Sequence, residues 1–579
     1  LFFLFTRNLK NTPELYILEK IIRKGYLIGD VVLEFDKKGN LKDNYKIKGF
    51  IKDAQVQILK KYNLNKINLI FNFQKKKLEL NDLKLSLNNT PLISKKINIE
   101  NNNNKFLIDG IIENQNLQLK DRLFVDFIKD YFPKINVIDL NLNSKNKFSF
   151  TVDKKLKIDQ LKTSSEIKIT KLKLQNNMKL KSFFPKINKE ISFNNHLINV
   201  DYKKDNLSIN GKGKIFAQEK EDQIKYNFYK DKDNLDFKVN FIIDKNPIII
   251  FPLSYKKDSD SKAEINLDGS YFENKKTMIR SFSYTEKKNK IRIKQLSLNK
   301  NFKIKSVKEI NLDYFDTDLR ENKLRINKNK NNLYQVSGLK FNANNLIQNL
   351  IDNETSKTKI IDENLNLKIK IDQVFLDKEY VIKNLNGNLN YKKNEIVNAE
   401  IDALFSKNEK LKFTIKTNEL EKVTTLYLDH AEPIVKKFKF IKGYSGGSLD
   451  FYSSKKGNTS SSNLKIYDFR LKELPILTKL LTLASLQGIA DILSGEGITF
   501  EEFEMNFDNQ NSLMTISEMY AIGPAISILM RGYIEKNKLV SLRGSLVPAT
   551  TINRVIGDIP ILGKILVGSK TGEGVFGVS

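Results

Sequence analysis

Leu365-Asn366-Leu367-Lys368-Ile369-Lys370-Ile371 alternates apolar and polar side chains without a break. A strand turns successive side chains to opposite faces. Leu365, Leu367, Ile369 and Ile371 therefore belong to one face, and Asn366, Lys368 and Lys370 to the other. That is the pattern of a half-buried antiparallel strand. The same period recurs on both sides of it. Ile67-Asn68-Leu69-Ile70-Phe71-Asn72-Phe73, Leu83-Lys84-Leu85-Ser86-Leu87, Ile138-Asp139-Leu140-Asn141-Leu142, Phe148-Ser149-Phe150-Thr151-Val152 and Leu411-Lys412-Phe413-Thr414-Ile415 all carry it. Clusters of Asn, Asp, Gly and Lys-Lys between these runs supply turn chemistry. The alternation dominates residues 1–470.

A sandwich closes its core within about 100–250 residues. The alternation here runs much further, and with 11 Pro the chain is poor in linkers for a string of sandwiches. One long sheet resolves the difficulty by curling into a trough, apolar inside and Lys/Asn outside. The expected fold class is thus mainly β: an elongated, curved antiparallel sheet forming an open, taco-like apolar groove, with short helices near the C-terminus. Such a groove exposes apolar surface unless something apolar fills it. Leu83, Leu85, Leu87, Leu365, Leu367, Ile369 and Ile371 are the candidate groove-lining residues.

Composition narrows the chemistry. The 579 residues are 40% hydrophobic and 29% charged, enough apolar content for a core and too much for wholesale disorder. There is no Cys, which removes disulfides, thiolate metal sites and Cys nucleophiles. The two His, His196 and His430, lie far apart in sequence, so no multi-His metal centre is expected. The net charge of +31 suggests a polyanion partner. Its basic residues are Lys over Arg by about eight to one, whereas readers of bases and phosphates favour the Arg fork. Solvated strand faces from an AT-rich coding genome explain the excess better, and no nucleic-acid partner is expected.

Texture and charge change near the C-terminus. Residues 474–579 hold eight basic and ten acidic side chains, a net of −2 that leaves +33 on residues 1–473. Pro475–Leu493 reads as an amphipathic helix stopped by Gly495 and Gly497. Leu480 and Leu483 on it, with Leu562 and Leu566 further on, are candidate membrane or partner contacts. Ile526–Ile534 and Leu539–Val547 predict a hairpin. Two regions follow: a repeating β-groove over 1–430, and a C-terminal region over 431–579 that contains helix 475–493. Short helices are also predicted at Pro13–Lys24, behind an N-cap at Thr12, and at Asp121–Tyr131 and Asn344–Ile351. Leu1–Phe5 is too short to span a bilayer and lacks the basic stretch that precedes a signal sequence, so the chain reads as a fragment or processed product.

No catalytic constellation emerges. Gly572-Glu573-Gly574-Val575-Phe576-Gly577 matches G-x-G-x-x-G, but lacks the following helix and distal acidic residue of a dinucleotide site. Gly443-Tyr444-Ser445-Gly446-Gly447 has no Lys-Ser/Thr to hold phosphate and reads as a turn. Asp429 and His430 are adjacent, which on a strand points them apart. The expectation is a protein without enzymatic activity, cofactor or metal.

The final stretch carries a more specific pattern: Gly523-Pro524-Ala525-Ile526, Arg531-Gly532-Tyr533-Ile534 and Leu542-Arg543-Gly544-Ser545-Leu546-Val547-Pro548, then Asn553, then Gly557-Asp558-Ile559-Pro560-Ile561-Leu562-Gly563-Lys564-Ile565-Leu566-Val567-Gly568, then Gly572–Val578 with Gly574. This resembles the C-terminal region of AsmA-like proteins of the YhdP type, large envelope proteins of Gram-negative bacteria. The resemblance covers about a tenth of the chain directly; the remainder is similar in texture. It implies a chorein-like β-groove that carries phospholipid between inner and outer membranes, facing the periplasm and anchored in the inner membrane by a segment absent from this chain. Envelope protein partners would then be expected as well. The alternatives are a non-transporting scaffold for outer-membrane assembly and a polyanion-binding module.

Overall fold

The apolar–polar alternation is realised as strand almost throughout. The computed structural model describes residues 22–40, 42, 44–58, 62–87, 90–102, 105–118, 136–153, 157–177, 180–232, 234–273, 275–329, 333–345, 364–392, 395–437, 443–472, 497–535 and 538–548. The chain divides into two units. The first comprises Leu1–Phe251 with Lys256–Phe302, the second Pro252–Tyr255 with Lys303–Ser579.

In the first unit the strands are β1 (Ile22–Val32), β2 (Lys46–Ile58), β3 (Tyr62–Gln74), β4 (Lys77–Leu87), β5 (Thr90–Asn102) and β6 (Lys105–Gln118). Then come β7 (Val137–Asp153), β8 (Ile158–Gln175), β9 (Glu190–Lys203), β10 (Asn206–Phe216), β11 (Asp222–Asp231) and β12 (Asn234–Ile243). After the two-residue strands β13 (Ile249–Ile250) and β14 (Tyr255–Lys256, divided between the units), it ends with β15 (Ala263–Phe272), β16 (Lys276–Glu286) and β17 (Asn289–Asn299). Leaving β13 and β14 aside, each strand pairs antiparallel with the next, a meander from β1 to β17. At about 4.8 Å per strand these fifteen strands extend about 65 Å along the hydrogen-bonding direction.

The second unit continues the plan with β18 (Ile304–Phe315), β19 (Glu321–Lys328), β20 (Leu333–Asn342), β21 (Leu365–Phe375), β22 (Val381–Lys392), β23 (Glu395–Leu404) and β24 (Lys410–Thr417). There follow β25 (Lys422–Leu428), helix α1 (Glu432–Lys437), β26 (Tyr444–Lys456), β27 (Thr459–Leu471), β28 (Ile498–Gln510), β29 (Leu513–Ile522), β30 (Ile526–Glu535) and β31 (Leu539–Pro548). The expected hairpin is β30–β31. One pairing departs from the antiparallel expectation: β20 and β21 run parallel, which requires the long connection between them.

Bulges bend the sheet. Asp53, Lys66, Asp82, Asn116, Gln160 and Asn195 in the first unit, and Asn384 in the second, adopt φ between 47° and 54°. Each coincides with a register shift against a neighbouring strand. An extra residue twists and bends its strand. It also resets the alternation, so Leu78 and Leu80 before Asp82 share a face with Leu83 and Leu85 after it, all in one apolar cluster. Asparagines brace these points. Asn68 Oδ1 accepts from the Asp53 N–H at 3.2 Å while its amide donates to the Lys66 carbonyl at 2.9 Å, and Asn143 Oδ1 accepts from the Asn116 N–H at 2.6 Å. Each unit is thus an open, curved, almost wholly β sheet with an apolar face.

Several local expectations need correction. Residues 22–24 are the first residues of β1, not the end of a helix, because pairing with β2 outweighs the capping signal. Tyr444–Gly447 is not a turn but the start of β26, with Gly446 and Gly447 at φ of 74° and 75°. Helix α1 was not foreseen. It buries Pro433 and Val435 and carries Glu432 at its start and Lys436 and Lys437 at its end, complementing its dipole. The remainder of helix 13–24, helices 121–131 and 475–493, residues 346–351 of Asn344–Ile351 and the apolar segments 552–556 and 561–566 lie outside the described residues.

Glu432 pins α1 to the sheet. Burial opposes its charge. The Lys436 ammonium, the Gly446 N–H at 2.8 Å and the Tyr380 hydroxyl at 2.7 Å outweigh that and bring its pKa down to about 2, from an ordinary 4.5. A depressed carboxylate stabilises the fold fully above its unfolded value and ceases to do so as pH falls through its folded one. Glu432→Gln is therefore expected to flatten the acid limb of the stability curve between pH 4.5 and about 2. Denaturant midpoints across that window check this; parallel curves for variant and parent contradict it.

Candidate functional site

The residues first singled out, Leu365, Leu367, Ile369 and Ile371, fall on one face of β21. Leu365, Leu367 and Ile369 are half-buried and Ile371 is buried, while Lys368 and Lys370 are exposed. Following cross-strand partners outward from Ile369 crosses the whole second unit. The sequence of partners is Ile310, Ile326, Val336, Ile369, Gly387, Ile401, Phe413, Leu426, Phe451, Leu464, Met505, Met519, Met530 and Gly544. These are fourteen strands, β18 to β31, without one polar side chain. Every side chain on the ladder is half-buried: neither sealed into a core nor standing free.

Character changes along this ladder. Ile and Val occupy one end, Phe and Leu the middle, and three methionines in register the far end. β-Branched side chains are stiff, whereas Met adapts its shape to what it meets. A second ladder runs beside the first: Ala403, Leu411, Leu428, Leu449, Ile466, Phe503, Ala521, Ile528 and Leu546. Its first five members are buried below 9% exposure. A ring stack of Tyr444, Phe469 and Phe500, with centroids 5.4 and 5.3 Å apart, backs this wall. Gly523 and Pro524 form the turn between β29 and β30, closed by Gly523 N–H to Ile526 O at 2.9 Å, and Pro548 ends β31 opposite Ile526. Asn553, Pro560, Gly563, Gly568, Gly574, Leu480, Leu483, Leu562 and Leu566 lie outside the described residues.

The first unit has the same face with an interruption. Leu83 and Leu85 join Ile47, Ala54, Val56, Ile67, Leu69, Phe71 and Ile97 in one cluster, and half-buried Leu87 continues their row. Further along, Ile167, Ile198, Gly211, Tyr226, Val239, Leu267, Phe282 and Ile293 are successive partners from β8 to β17. Between the two stretches stands a polar island of Asn114, Ser144, Asn146 and Ser165. Ser144 Oγ donates to Asn114 Oδ1, and the Asn146 amide donates to Ser144 Oγ at 2.8 Å and to the Ile112 carbonyl at 3.2 Å. The second unit's ladder is thus apolar without a break, and in the first unit the floor is broken at β6–β8. Beside the island Leu117, Leu140, Leu142 and Ile169 keep a narrow apolar lane.

That lane meets His196. Its Nε2 lies 3.2 Å from the Tyr226 hydroxyl, with the rings stacked at 5.5 Å. Burial lowers the His196 pKa against a smaller opposing contribution from the Lys214 backbone, and burial pushes Tyr226 up to about 12. Both are therefore neutral at physiological pH. Glycines make room for them: a Cβ on Gly211 would sit 2.2 Å from the Tyr226 ring, and one on Gly213 2.4 Å from His196 Nδ1. Gly211→Ala is expected to displace Tyr226 and destabilise the fold by about 1–3 kcal/mol, the usual cost of overpacking. An unchanged denaturant midpoint would contradict that.

His430 plays no part with Asp429. Its ring packs against Phe405 and Tyr380, and the Asp429 carboxylate accepts from the Tyr427 hydroxyl at 2.6 Å and the Lys410 N–H at 2.7 Å. A buried cluster not read from the sequence closes one end of β11, β12 and β16. Lys257, 2% exposed, donates to the Asp244 and Asp258 carbonyls. Asp222 accepts from Asn246 at 2.7 Å, and Glu286 accepts from the Asp258 N–H at 3.0 Å. Burial lowers the Lys257 pKa and raises that of Asp222. Each polar group finds a partner, so this is a structural clasp. Among the described residues no group of His, Cys, Asp and Glu could hold a metal ion, and no helix is long and apolar enough to cross a membrane.

No protein-family model matches the chain, and no curated protein matches it.

Proposed function

We propose that the apolar face carries phospholipid by its acyl chains, leaving the headgroup in water, and that this serves transport between the inner and outer membranes of a Gram-negative envelope. The observation that carries the reading is the fourteen-strand ladder from Ile310 to Gly544, with no polar side chain at any step and every side chain it carries half-buried. A two-chain lipid of about 30 methylenes costs on the order of 25 kcal/mol to expose to water, at about 0.8 kcal/mol each. A ladder without a polar rung removes most of that cost at each position, so the lipid meets no high barrier between strands. No residue needs to be catalytic. The resemblance of residues 523–578 to the AsmA-like family supports the same direction and a location facing the periplasm.

The polar island at Asn114, Ser144, Asn146 and Ser165 favours a second reading. A groove broken at β6–β8 suits a scaffold for envelope assembly that holds protein partners and moves no lipid. Organic extraction of the purified chain, followed by mass spectrometry, separates the two. Phospholipid at a reproducible stoichiometry above one per chain supports transport. A lipid-free protein supports the scaffold.

A further inference from the structure

The opposite, polar face of the first unit contains a hollow of about 810 Å3. One cross-strand ladder forms its floor: Ile111, Lys147, Ser164, Asp201, Ser208 and Tyr229, successive partners from β6 to β11. Beside this ladder Lys162 on β8 and Lys203 on β9 stand directly opposite each other, and both line the hollow. Like charges facing each other across a ladder destabilise a sheet. Lysines at the rim are neutralised: Lys96 by Glu79 at 2.8 Å and Lys145 by Glu113 at 3.4 Å. Lys147, Lys162 and Lys203 have no carboxylate within 4 Å among the described residues.

We infer that this hollow binds a phosphate ester of a small polyol, such as a phosphoglycerol group. The phosphate lies between Lys162 and Lys203 with Lys147 beside it, replacing a like-charge repulsion with two charge-assisted contacts. The floor suits the rest of such a ligand. Ser164 and Ser208 donate or accept from hydroxyls, and the Asp201 carboxylate accepts only, which favours a hydroxylated body over a second anionic group. The exposed faces of Ile111 and Tyr229, 36% and 46% accessible, wall the two ends against carbon atoms. The site is independent of the acyl-chain reading, because these side chains point away from the apolar face.

Glycerol 3-phosphate is the probe, titrated calorimetrically into the full chain at low salt. Saturable binding in the millimolar range or tighter is expected, weakened about tenfold or more in Lys162→Gln/Lys203→Gln and unchanged in the distant control Lys48→Gln/Lys84→Gln. The double variant should melt at or above the parent temperature, since it loses a repulsion, and glycerol 3-phosphate should raise the melting temperature of the parent alone. Flotation with phosphatidylglycerol vesicles against phosphatidylcholine vesicles identifies the source. Lys162- and Lys203-dependent recruitment to the former assigns a lipid headgroup, and binding of the soluble ester alone assigns a free metabolite. No saturable binding by the parent, or equal binding by parent and double variant, overturns the proposal. Inorganic phosphate binding as tightly as glycerol 3-phosphate overturns the polyol assignment.

Discussion

Leu367→Asp combined with Ile369→Asp is expected to reduce lipid carried per chain by about tenfold or more, with little loss of folded protein. Leu367 faces Tyr334 and Leu389 across the two neighbouring strands, and Ile369 faces Val336 and Gly387. Both belong to the face along which acyl chains would travel. An ionised carboxylate pressed against hydrocarbon loses several kcal/mol of hydration, and a tenfold effect needs only about 1.4 kcal/mol. Folding escapes the same penalty because both positions are half-buried, so an empty groove lets the new charges reach water. Lys368→Asp, on the exposed face of the same strand, is the control and should carry lipid normally. Lipid per protein from extraction, alongside thermal melts, decides the matter. Wild-type lipid content in the double variant would contradict the proposal.

Phe469→Ala should be among the most destabilising single substitutions in the second unit, at about 3–5 kcal/mol. The Phe469 ring is 1% exposed and lies in the stack between Tyr444 and Phe500, with Phe503 edge-on at 6.4 Å. Removing it leaves a cavity bounded by rings that have no flexible side chain to refill it. The effect should stay local, because each strand contacts chiefly its two neighbours. Amide exchange is expected to accelerate in β26, β27 and β28 and to stay near parent rates in β18 and β19. Uniform acceleration across the unit would argue against this nearest-neighbour picture of stability.

The alternation in Leu365–Ile371 was enough to assign strand and face, since one face of a half-buried strand is a local property, and its recurrence over residues 1–470 assigned the fold class. The bulges were also present in the sequence, as slips of phase. Leu78, Leu80, Leu83, Leu85 and Leu87 switch from even to odd at Asp82, and Ile191, Phe193, His196 and Ile198 switch at Asn195. Asn between the runs reads as turn chemistry, yet Asn116 and Asn195 occupy left-handed bulge positions inside strands, and Asn68 braces those at Asp53 and Lys66. Register between distant strands was not legible. The fourteen-member ladder, the parallel β20–β21 pairing and the polar island depend on which residues face each other, and alternation leaves that open. The hollow over Lys162 and Lys203 was hidden for the same reason, among many solvated lysines.

The central claim is that acyl chains lie on the ladder and not on the reverse face of the same strands. Adjacent positions on β26 test it: Phe451 is on the ladder and half-buried, while Tyr452 points the other way and is 47% exposed. A photo-reactive amino acid placed at each site in turn, illuminated in cells and followed by mass spectrometry of the adduct, reads out what touches each face. The account predicts phospholipid cross-linked at Phe451 and absent at Tyr452. Equal labelling at the two positions, or no lipid adduct at Phe451 in protein that folds normally, would contradict it.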